Sequence, residues 1–207
     1  VKDEYTRPDG SKMEVNYYVE PAWENSAKKY FGETPKMIAF FSKLTGVEYP
    51  WDKYHQVVVR DYVSGAMENT SAVIFGDFVY RTDRELLDKN SDPIVAHELF
   101  HHWFGDLVTC ESWANLPLNE SFANYSQYLW DEYRYGLDVA DYGNEEETGE
   151  YLETYEAGEN HDLIWYHYDK DVEMFDKHSY SKGGRILHML RTYLGDEAFF
   201  AGLRNYL

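Results

Sequence analysis

The stretch Asp92-Pro93-Ile94-Val95-Ala96-His97-Glu98-Leu99-Phe100-His101 decides the reading of this chain. Asp92 supplies an N-cap, and Pro93 suits the first helical position, where its missing N–H is not needed. Gly105 is the expected stop, about three turns on. On that helix His97 and His101 stand four residues apart, about 40° apart around the axis and one turn along it, so both imidazoles can face one metal ion. Glu98 sits on the adjoining flank, placed to touch a metal-bound water without ligating the metal. With 8 His in 207 residues, chance supplies only about 0.03 matches to this HExxH pattern.

Two imidazoles need a third protein ligand for zinc, and a fourth position left to water marks a catalytic site rather than a structural one. Glu120 follows His101 after 18 intervening residues, at the start of a helix expected over Asn119 to about Tyr135. A structural four-ligand set is excluded because Cys110 is the one cysteine; it is expected to be a buried thiol. Asn124, one turn past Glu120, is expected on a plain helix face, with hydrogen bonding to a ligand imidazole as the alternative.

Outside this region, residues 11–20 alternate as a strand up to Pro21. Met37, Phe40, Phe41 and Leu44 mark a helix that Gly46 stops. Gln56–Val63 and Ser71–Tyr80 follow as strands, then a short polar helix near Arg84–Asp88. An acidic, partly helical stretch comes next, then a loop over His161–His178. Ile186, Leu187, Leu190 and Leu194 define a helix ending at Gly195, and Asp196 is expected to cap the next one. Strands early and helices late predict an α+β domain in which a mixed sheet packs against helices.

Composition narrows the function classes. Lys plus Arg number 19 against 38 Asp plus Glu, a formal charge of -19, which argues against a nucleic-acid surface. Ten carboxylates between Asp138 and Asp162 are unrelieved by Lys or Arg and are expected to be a solvated face, without calcium-loop spacing. Hydrophobic residues make 43% of the chain, enough for a core, yet no apolar run approaches the roughly 18 positions of a membrane span. The chain opens at Val1 and stops at Leu207 inside a helical pattern, and is expected to be a piece of a longer protein.

Three motifs in order and spacing give the chain a resemblance to the catalytic domain of the aminopeptidase N family of zinc exopeptidases, gluzincins with a thermolysin-like fold. They are Gly65-Ala66-Met67-Glu68-Asn69, His97 to His101 with Glu120, and Tyr180 in Tyr180-Ser181-Lys182-Gly183. The similarity runs from Pro21 onward and implies that residues 1–20 end a preceding β-rich domain and that 21–207 form the catalytic domain. One departure is Ser121, where the family usually has Gly after the ligand Glu. The resemblance implies one zinc ion on His97, His101 and Glu120, Glu98 as general base, and Tyr180 as donor to the oxyanion. It implies that Glu68, with the other residues of Gly65 to Asn69, grips the free α-amino group of a peptide, and that Ser71–Tyr80 offers an edge for peptide main chain. Flanking domains of the parent chain would complete the cleft.

Two other classes fit the same residues. One is another hydrolase on this scaffold, either an endopeptidase or the epoxide-opening relatives. The other is a silent zinc-binding module, which intact Glu98 and Tyr180 argue against. His102 points about 100° from His101 and is expected to be structural. His55, His161, His167, His178 and His188 show no shared ligand spacing. Trp103, Phe104 and Trp113 are expected to build core, and the Tyr-rich stretch Tyr151–Tyr168 could line a specificity pocket.

Overall fold

The computed structural model describes residues 1–207, which form two compact units, Val1–His102 and Trp103–Leu207. In the first, alternation of apolar and polar side chains produces β1 (Lys2–Thr6), β2 (Lys12–Tyr18), β3 (Lys53–Val59), β4 (Ala66–Met67) and β5 (Ala72–Gly76). They join one mixed five-stranded sheet in the order β1-β2-β3-β5-β4. β2–β3 and β3–β5 are parallel, while β1–β2 and β4–β5 are antiparallel. The first twenty residues thus pair into this same sheet. One face buries Met13, Val15, Tyr17, Tyr54, Val73 and Phe75.

The crossover from β2 to β3 carries α1 (Ala27–Phe31) and α2 (Thr34–Thr45), preceded by a 3-10 turn over Pro21–Ser26. Gly46 ends α2 with φ of 70°, a left-handed cap that suits glycine. Thr34 Oγ1 donates to the buried Gln56 Oε1 at 2.8 Å, so a polar strand residue is tied to the helix above it. The helix α3 (Asp92–Phe100) packs beside α1 and α2, its Phe100 ring 4.9 Å from Phe41.

Two expectations about the strands are corrected. Extended structure after Ser71 stops at Gly76, where Asp77–Val79 turns into a 3-10 helix, and β5 is an interior strand paired on both sides. Its apolar run Ala72-Val73-Ile74-Phe75 suits burial on both faces. The edge is β4, which contains Ala66 and Met67 of the five-residue motif itself. The helix α3 is also shorter than Gly105 would imply: Ser91, rather than Asp92, is its N-cap, and regular helix ends at Phe100.

The second unit holds the longer helices α4 (Pro117–Tyr135), α5 (Leu137–Glu156), α6 (Gly183–Leu194) and α7 (Asp196–Tyr206). The helix α4 packs against α5 and α6, and α6 against α7. The acidic stretch is helical throughout α5, which buries only Ala140, so its carboxylates are mostly solvated as expected. A π-helical turn, His178–Lys182, feeds directly into α6. Trp103 and Phe104 are core residues, but Trp113 is 44% exposed and lies against Phe175, because it falls in a short 3-10 turn outside the helices. Cys110 is only partly buried, since it lies in the connection before α4. No helix is long and apolar enough to cross a membrane.

Candidate active site

Pro93 in the first turn of α3 and the apolar residues Val95, Ala96, Leu99 and Phe100 set that helix into the first unit, all four of them buried. His101 follows in right-handed conformation, with φ of -55°, and its N–H still reaches the His97 carbonyl. The four-residue relation therefore survives at the helix end. The His97 and His101 rings lie 4.8 Å apart at 78°, both buried, with the buried Glu98 between them in sequence.

The five-residue motif comes to the same place. Glu68 Oε1 is 3.9 Å from His101 Nδ1, and the Glu68, Glu98 and His101 polar atoms lie within 4.8 Å of one another. Two carboxylates so close create a negative field, which also reaches Tyr62: its phenol is pushed up first by burial, then by Glu98 and Glu68. Tyr62 carried no signal in the sequence, being one of 20 tyrosines outside any motif.

His102 takes the structural role expected of it. Its Nε2 accepts from the Ser71 N–H at 2.9 Å, and its Nδ1 donates to the Glu98 carbonyl at 3.2 Å. The ring is fully buried, and desolvation pushes its pKa down to about 3, so it is the neutral tautomer with the proton on Nδ1. It ties the helix of the HExxH motif to the loop after Glu68, at a serine held at φ of 63°.

In the second unit Glu120 is buried in the first turn of α4, where the helix dipole favours a negative charge. The next residue reaches the tyrosine motif: Ser121 Oγ donates to the Ser179 carbonyl at 2.7 Å. A Cβ built on Gly183 would stand 1.8 Å from Ser121 Oγ, so the small residue at 183 is what lets α6 approach α4. Asn124 is buried rather than on a plain helix face, and a Cβ at Gly184 would meet its Oδ1 at 2.3 Å. Tyr180 stands in the π-helical turn, partly buried, its N–H bonded to the Asp176 carbonyl at 3.1 Å.

The structure also joins residues that sequence spacing did not. His161, Asp176 and His178 converge, with His161 Nε2 at 2.6 Å and His178 Nδ1 at 2.9 Å from Asp176 Oδ2. Seventeen positions separate the two histidines, across an irregular loop with no period to reveal the pairing.

A mixed sheet followed by helices, with HExxH on the helix that packs beside α1 and α2, defines an α+β, thermolysin-like zincin fold. The aminopeptidase A of Legionella pneumophila, solved in complex with aspartic acid, has the same fold, with a TM-score of 0.80 over 100% of this chain and 24% of that one, at 22% identity. Residues 30–207 match the peptidase family M1 domain, and the chain belongs to that family. Aminopeptidase 2 of Candida albicans is 31% identical over 98% of this chain, and the mitochondrial aminopeptidase 2 of Saccharomyces cerevisiae 33% over 98%. Tricorn protease-interacting factor F2 of Thermoplasma volcanium is 35% identical over 83%. The chain spans only 22 to 23% of the length of these three relatives.

Proposed function

We propose that this chain carries the catalytic centre of a zinc metallo-aminopeptidase that removes the N-terminal residue from peptides. The observation that carries the reading is Glu68, whose carboxylate lies beside Glu98 and His101. A carboxylate there pairs with a substrate ammonium and gains nothing from the neutral amide of an internal peptide segment. Relatives named as aminopeptidases support the same reading.

The donors suit zinc: two buried imidazoles one turn apart and a buried carboxylate in the first turn of α4 leave a fourth position for solvent. In this reading His97, His101 and Glu120 would hold one zinc ion, which when bound would supply a positive charge that lowers the pKa of water from about 15.7 toward about 7 and polarises a carbonyl. Glu98 takes the proton of the attacking water, holds it, and delivers it to the leaving amine. Tyr180 donates its hydroxyl proton in a hydrogen bond to the oxygen that becomes negative. Glu68, with Gly65, Ala66, Met67 and Asn69 around it, holds the N-terminal residue in register. Residues 1–20, which pair into the sheet of this unit, would lead in from a domain that precedes the catalytic domain 21–207, and flanking domains of a longer chain would close the cleft around a peptide with a free N-terminus.

Glu68→Ala tests the carrying observation. It is expected to keep one equivalent of zinc and to lose about 10 to 100-fold in kcat/KM on free peptides, the cost of one charge-assisted hydrogen bond. A variant that still prefers free over N-acetylated peptides as strongly as the wild type would remove Glu68 from amine recognition.

A further inference from the structure

The turn that presents Tyr180 is a π-helix, a geometry rare enough to need external support. Most of that support comes from one carboxylate. Asp176 Oδ1 accepts the His178 and Ser179 N–H groups, each at 3.0 Å, as an N-cap does. Its Oδ2 accepts His178 Nδ1 at 2.9 Å and His161 Nε2 at 2.6 Å, and its main-chain carbonyl accepts the Tyr180 N–H.

His161 secures this carboxylate from outside the turn. Its Nε2 lies 2.6 Å from Asp176 Oδ2 and its Nδ1 2.7 Å from the Asp162 carbonyl, so both edges of the ring are held by acceptors. The ring is sandwiched between Trp165, at 4.2 Å, and His178, at 3.9 Å. The His161 carbonyl accepts Lys182 Nζ at 3.2 Å, on the far side of Tyr180. One loop residue therefore fastens the turn before and after the tyrosine.

The same three side chains could be taken for a metal site. As the rings stand, His161 Nε2 and His178 Nδ1 are both taken up by one oxygen, Asp176 Oδ2, at 2.6 and 2.9 Å, and the metal alternative is decided by the test below. His178 Nε2 is also engaged, by the His161 N–H at 3.4 Å.

We propose that Asp176, clamped by His161, is a positioning residue that holds the Tyr180 hydroxyl where the oxyanion forms. The proposal rests on the reading of Tyr180 as the oxyanion donor. Asp176 touches no substrate; it acts through the turn, by setting where the phenol points. Asp176→Asn keeps the volume but turns one accepting oxygen into a donor, facing groups that are themselves donors.

The test uses the full-length zinc-loaded protein with Asp176→Asn, Tyr180→Phe and the double variant. Asp176→Asn should lower kcat at least about tenfold, since small misplacements of reacting groups can cost about 10²-fold, with KM and zinc content unchanged. Amide exchange should quicken across His178–Lys182, and Asp176→Asn should have little further effect in the Tyr180→Phe background. His161→Gln should reproduce the pattern more weakly, and it stands in for Asp176→Asn if that variant does not fold. Wild-type kcat in a folded Asp176→Asn protein, beside a lowered kcat in Tyr180→Phe, would overturn the positioning role alone, as would independent effects that multiply in the double variant. Wild-type kcat in Tyr180→Phe would overturn the underlying reading as well. A second equivalent of zinc, lost on His161→Gln, would make the cluster a metal site and overturn the clamp.

Discussion

Exchanging one oxygen of Glu98 for nitrogen keeps the side chain's volume and abolishes its capacity to take a proton. Glu98→Gln is therefore expected to retain zinc and lose nearly all turnover, with metal content and rate measured on one preparation. Near-wild-type turnover would remove Glu98 as the base. Tyr180→Phe should cost about 10² to 10³ in kcat with little change in KM, because a donor to a developing oxyanion acts in the transition state. A pure KM effect would place the phenol in ground-state binding instead. These residues were legible because each lies in a short motif whose spacing matches a helix turn or a family pattern. Tyr62 and the His161–Asp176–His178 cluster were not: their partners are distant in sequence and joined by irregular chain, so no local period records the contact.

At the scale of elements, the close approach of α4 and α6 rests on the pair Ser121 and Gly183. Gly183→Ala should destabilise the protein by about 1 to 3 kcal/mol through overpacking, and Ser121→Gly should restore most of that loss in the double variant. Equal destabilisation with and without Ser121 would show that the glycine matters for another reason. Ser121 uses its hydroxyl on the Ser179 carbonyl, so the side chain that follows Glu120 adds a bond to the tyrosine turn. The existence and order of the main helices were readable from apolar spacing and from caps such as Gly46. Their ends were less so. Gly105 looked like the stop of α3, but the helix ends at Phe100, and Gly105, at φ of 147°, closes the turn that follows by bonding to Val108. The π-turn at Tyr180 has no sequence signature, and neither did β4, whose two residues are too few for alternation to show.

For the whole molecule, charge and buried histidines set the response to pH. Burial lowers the pKa of His178 and of His188, the latter helped by Arg185 and Arg191. A histidine with a folded-state pKa below its unfolded value of about 6.5 binds more protons when unfolded, so the stability it contributes is present above about pH 6.5 and lost as pH falls below it. The thermal midpoint should therefore decline on acidification below about pH 6.5, and His188→Gln should flatten the decline; an unchanged slope would remove His188 from it. The central claim, that this family M1 chain serves an aminopeptidase through Glu68 beside the HExxH helix, is tested most directly by the rate at which the full-length zinc-loaded protein releases the first residue from paired free and N-acetylated peptides. The account predicts rapid release from the free peptide and almost none from its acetylated twin, whereas equal rates, or cleavage of the blocked peptide at an internal bond, would contradict it.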